Sequence, residues 1–124
     1  LQRIEDLAAA QRHLAVAVVL LDEADSADDT RRKEAARQLL STVRPNDVVS
    51  ASADGSFLVC AVDVAEVRPA LQMAERIAGA LSRSGIVARI GVAVRDHDAA
   101  PATLVREAEA GAYAANPGDV QFAD

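Results

Sequence analysis

Apolar positions in this chain change period several times, and each change marks an element. Leu1, Ile4, Leu7 and Ala8 recur at helical spacing, so residues 1–12 read as a short amphipathic helix. The run AVAVVLL at 15–21 is continuously apolar and rich in valine, the pattern of a central strand covered on both faces. Polar residues then take over. Residues 22–29 hold five carboxylates in eight positions and read as a solvated loop, with Asp28 or Asp29 as N-cap of the next helix. That helix covers 30–43, with Ala36, Leu39, Leu40 and Val43 on one face, and Pro45 ends it. Strands at 48–52 and 56–62 flank Asp54-Gly55, a pair that tolerates positive φ and therefore predicts a hairpin. Val67, Leu71, Ala74, Ala78 and Leu81 make 66–84 an amphipathic helix, stopped by Gly85. A strand over 86–94, a helix from Pro101 to Ala115 and a short strand near 119–122 complete the chain.

After the first helix the order is βαββαβ, then a further helix and strand. This predicts an α/β (α+β) sandwich of the ferredoxin-like type: one domain over 1–124, with a central mixed sheet of about five strands flanked by helices. Composition narrows the function classes. Cys60 is the only cysteine, which excludes an internal disulfide and leaves no structural zinc pattern; its strand position reads as a buried small hydrophobe. The apolar stretch at 14–21 is too short to cross a bilayer. A net charge of −6 and 2% aromatic residues argue against nucleic-acid binding, which draws on a basic face and stacking rings. His13 and His97 stand alone, and no nucleophile–base pattern or glycine-rich phosphate loop is present. The chain opens on Leu1 rather than methionine, so we expect a piece of a longer protein.

Residues rather than topology carry a resemblance. Arg44-Pro45-Asn46-Asp47, a five-residue spacer and Ala53-Asp54-Gly55-Ser56-Phe57 are similar to the RxxD and GG[DE]EF elements of diguanylate cyclase domains. The strand ending in Asp22 resembles that family's first strand and metal-binding aspartate. Ala74-Glu75-Arg76-Ile77, Ile90-Gly91-Val92-Ala93 and the 107–115 stretch around Tyr113 match its AERI, SIGVA and ADxALYxA segments. In order and in spacing the chain resembles a degenerate GGDEF domain over about 1–122. The resemblance implies a nucleotide-cyclase palm fold, a cytoplasmic place in bacterial signalling, and sensor or output domains in the parent chain. An N-terminal coiled coil and a homodimer also belong to that expectation.

The departures bear on activity. That family joins two GTP molecules into cyclic di-GMP with metal ions that require hard oxygen ligands. Here Asp22 is the vestige of the metal site, Gly55 stands where the second acid is expected, and Ser56 replaces its glutamate neighbour. The guanine-reading segment after Asp22 is missing, and Asn116 replaces a triphosphate-binding lysine. The expectation is therefore no cyclase activity, no metal and no cofactor. What the resemblance leaves is a ligand site of the inhibitory type, in which Arg44, Asp47 and Arg76 would hold cyclic di-GMP through charge-assisted bonds. The plain reading stands beside it: Arg44 closes a helix, Asp47 begins a strand, and the domain is a ligand-free interaction or dimerisation module. A third reading, GTP binding that regulates a neighbouring phosphodiesterase, is disfavoured by the missing guanine-reading segment.

Overall fold

The computed structural model describes residues 13–52, 54–62, 64, 66–95 and 100–122; the helix expected over 1–12, His97 and Ala53 lie outside them. Five strands form one mixed sheet: β1 (Leu14–Leu21), β2 (Val48–Ala51), β3 (Phe57–Val62), β4 (Ala88–Val94) and β5 (Val120–Phe122). Their order is β2-β3-β1-β4-β5, antiparallel except for the β4–β5 pair. The continuously apolar run is thus the central strand, paired Val16 to Cys60 on one side and Val16 to Ala93 on the other. The helices are α1 (Glu23–Ser26), α2 (Asp29–Thr42), α3 (Val67–Arg83) and α4 (Pro101–Ala114).

Strand alternation sorts the core into two layers. On one face Ala15, Ala17, Val19, Val59 and Ile90 pack against Leu39 of α2 and Met73, Ile77 and Leu81 of α3. On the other, Val16, Val18, Cys60 and Ala93 pack against Leu104, Ala108 and Ala112 of α4. Each large side chain fully withdrawn from water here contributes about 1.5–3 kcal/mol before entropy is counted. The chain ends α3 as its sequence predicts: Gly85 has φ +73°, its N–H donates to the Ser82 carbonyl (2.9 Å), and the Ile86 N–H donates to the Leu81 carbonyl (2.9 Å). No described helix is long and apolar enough to cross a membrane.

Two expectations are corrected. The acidic stretch is not all loop, because Asp22 caps a one-turn helix, α1, before Asp28 caps α2. Leu40 is 64% exposed rather than facing the core. The buried stripe of α2 is narrow, Ala35 and Leu39, and a residue one further on rotates about 100° away from it.

Candidate functional site

At the end of β1 the Asp22 carboxylate accepts the Glu23 N–H at 2.9 Å, as an N-cap does. The Ser26 hydroxyl donates to the Glu23 carbonyl (3.1 Å). Arginines fasten α1 from behind. Arg31 Nε meets Asp25 Oδ1 at 3.1 Å, and Arg32 Nη1 donates to the Ser26 carbonyl at 2.6 Å. The same Arg31 donates to the carbonyls of Ser84 (3.2 Å) and Gly85 (2.8 Å), so α1 is tied through α2 to the turn after α3.

Opposite α1 lies the hairpin turn. Asp54 Oδ1 accepts both the Ser56 N–H (3.0 Å) and the Ser56 hydroxyl (2.7 Å), which hold its carboxyl below the usual range. Gly55 is buried with φ +87°, and a Cβ there would lie 2.9 Å from Ser26 Cβ and 3.0 Å from the Ser26 carbonyl oxygen. Backbone angle and space both require glycine. Beside this contact opens a cleft of about 650 Å³, lined by Asp22, Glu23 and Asp54 together with Val87, Arg89, Tyr113 and Pro117.

The Asp22 carboxylate serves its own helix, Asp54 serves Ser56, and Gly55 offers no side chain. Among the described residues no three His, Cys, Asp or Glu side chains are placed to hold a metal ion.

The second place is the turn between α2 and β2. The Asp47 N–H donates to the Arg44 carbonyl (3.0 Å) across a turn with Pro45 at its second position, where its fixed φ fits. The Asp47 side chain, 1% exposed, accepts the Arg44 N–H (3.0 Å), Nε (3.3 Å) and Nη2 (3.1 Å). Arg44 Nη2 also donates to the carbonyl of Val62, the last residue of β3, at 2.6 Å. Burial, with the Asp47 charge adding to it, pushes the Cys60 thiol up to about 11. Arg44 and Asp47 are thus brought together, while Arg76 sits exposed on α3, a helix that packs on β4, β5 and α2 rather than on β2. His13 is exposed.

Sequence reasoning missed α1, the Arg31 tie and the cleft wall of Val87, Arg89 and Tyr113. The wall had a signal: 87 and 89 alternate with buried Ile86, Ala88 and Ile90. The Arg31 tie had none, because its partners lie 53 and 54 residues away.

No protein-family model matches the chain, and no curated protein matches it in sequence. Solved structures do match. The GGDEF domain of DgcB from Caulobacter crescentus, in complex with c-di-GMP, superposes with TM-score 0.83 at 16% identity, over 98% of this chain and 86% of that one. The active GGEEF domain of a diguanylate cyclase from Vibrio cholerae gives 0.76 at 16%, over 99% and 88%. The diguanylate cyclase SiaD from Pseudomonas aeruginosa, in complex with its activator SiaC, gives 0.81 at 21%, over 99% and 56%. The fold is that of GGDEF domains.

Proposed function

We propose that this GGDEF-fold domain is a non-catalytic signalling module that works through interaction rather than through cyclisation of GTP. The observation that carries the reading is the seating of Gly55 on Ser26. Position 55 is where the resemblance puts a metal-binding acid, and α1 leaves no room there for any side chain. The capped state of Asp22 supports the same reading, since among the described residues it joins no group of three metal-ligating side chains. On this reading the domain acts within the cytoplasm on sensor or output domains of its parent chain, or on a second copy. Incubation with GTP and magnesium or manganese is expected to yield no cyclic dinucleotide above a blank. Turnover that Asp22→Ala abolishes would overturn the reading.

A second reading, reception of cyclic di-GMP through Arg44, Asp47 and Arg76, is favoured by one observation. Arg44 is half exposed with Nη1 uncommitted among the described residues, and Arg76 is open to solvent. Against it, Asp47 is spent on Arg44. Calorimetry separates the two. The receptor reading requires saturable binding that Arg76→Ala and Arg44→Ala each weaken about tenfold, about 1.4 kcal/mol, on samples shown to be folded. Absence of heat leaves the interaction module.

A further inference from the structure

The cleft beside the hairpin has a composition of its own. Leu20 and Val87 line it together with Tyr113 and Pro117. Tyr113 is 64% exposed and Val87 46%, so two of the four exposed large hydrophobic residues among those described line this one cleft. Apolar surface gathered in one place and rimmed by polar groups marks a docking site more often than scattered apolar residues do.

The rim decides what docks. Asp22, Glu23 and Asp54 stand on it, and none has a cation partner among the described residues. Their neighbours that turn away from the cleft are paired: Asp25 with Arg31 (3.1 Å) and Asp29 with Arg32 (3.1 Å) and Lys33 (3.0 Å). Among the described residues the protein therefore pairs Asp25 and Asp29 with cations and leaves Asp22, Glu23 and Asp54 without one. Against these three charges the cleft sets one cation, Arg89. A triphosphate would meet repulsion here, whereas a cationic group would meet complementary charge.

We propose that this cleft docks a short protein segment in which one or two large apolar side chains are flanked by arginine or lysine. The apolar side chains lie on the shelf of Leu20, Val87 and Tyr113, and the basic flanks reach the carboxylates of Glu23 and Asp54. A volume of about 650 Å³ holds two or three such side chains. The proposal names the partner chemistry of the interaction module, and so rests on the non-catalytic reading above.

The chain supplies its own reporter. Tyr113 is its only tyrosine and it has no tryptophan, so tyrosine emission reads this cleft alone. The probes are a blocked six-residue peptide with two leucines between flanking arginines, the same peptide with glutamates for arginines, and GTP with magnesium. The basic peptide is expected to change the emission saturably, with a dissociation constant on the order of 10–100 µM, weakening as salt rises. Glu23→Gln should weaken it at least about threefold and Arg89→Glu should tighten it by a similar factor, the direction expected from Coulomb attraction. Tyr113→Ser, followed by calorimetry with its circular dichroism unchanged, should abolish it. Equal binding of both peptides, no binding of the basic one, or indifference to Arg89→Glu overturns the proposal. If GTP with magnesium is turned over to a cyclic dinucleotide, the non-catalytic reading falls as well; if GTP is not turned over and the basic peptide does not bind, the docking proposal alone falls.

Discussion

At the scale of single residues, charge is placed so that each side chain has a definite task. Asp47 is the clearest case, a carboxylate taken out of water and answered by one arginine through three N–H groups. Removing one member of such a pair strands the other. Because Arg44 is half exposed, we expect Arg44→Ala to cost about 2 kcal/mol, below the usual range for a buried pair, and less than about 1 kcal/mol once Asp47→Asn has removed the charge. Urea titration of the single and double variants measures the difference. Glu34 differs in being held at the surface. Arg37 beside it, at 2.6 and 2.8 Å, lowers its carboxyl from 4.5 to about 2, with Gln38 and Ser84 helping. A depressed carboxylate stabilises the fold in full above its unfolded value, and that contribution disappears as pH falls from about 4.5 through about 2. The Glu34 carboxyl resonance should therefore titrate near 2, and Arg37→Ala should return it toward 4.5.

Elements meet through glycines at two points. Gly91 of β4 faces α4 so closely that a Cβ would sit 1.8 Å from the Ala108 carbonyl oxygen and 2.2 Å from the Ala112 nitrogen. Both contacts are backbone, so neither can give way. Gly91→Ala should cost about 3 kcal/mol or more, the upper end of overpacking, and lower the melting temperature by roughly 10 °C. Gly55→Ala strains a left-handed turn and meets Ser26, and should loosen α1, which amide exchange of residues 23–26 would report. The elements themselves were legible because their signals are local: period two or 3.6, Pro101 at a helix start, Gly85 at a helix end. The existence of α1 was not, since four residues carry no periodicity and a cap followed by carboxylates also reads as loop. Leu40 failed for a related reason, as a helical face read from spacing is wider than the strip that a neighbouring sheet covers.

For the whole molecule, the resemblance located the hairpin, the arginine turn and the helix bearing Arg76, because motif spacing survives where individual motif residues change. It left unread how those parts face one another. That the turn at 54–55 presses on α1, and that Arg44 bonds to both Asp47 and Val62, are facts of tertiary contact and invisible to spacing. Arg31 is the extreme example, one side chain joining Asp25 to carbonyls more than fifty residues on. Such a tie closes only after α2 and α3 lie side by side on the sheet, since both carbonyls belong to the turn that ends α3. We therefore expect it to form late in assembly, after the rate-limiting step. A contact made after the barrier slows escape from the native state without hastening arrival. In stopped-flow experiments Arg31→Ala should steepen nothing and leave the refolding arm of the chevron where it is, while raising the unfolding arm by the whole of its equilibrium cost. On that expectation this one arginine sets the lifetime of the folded domain more than the speed with which it forms.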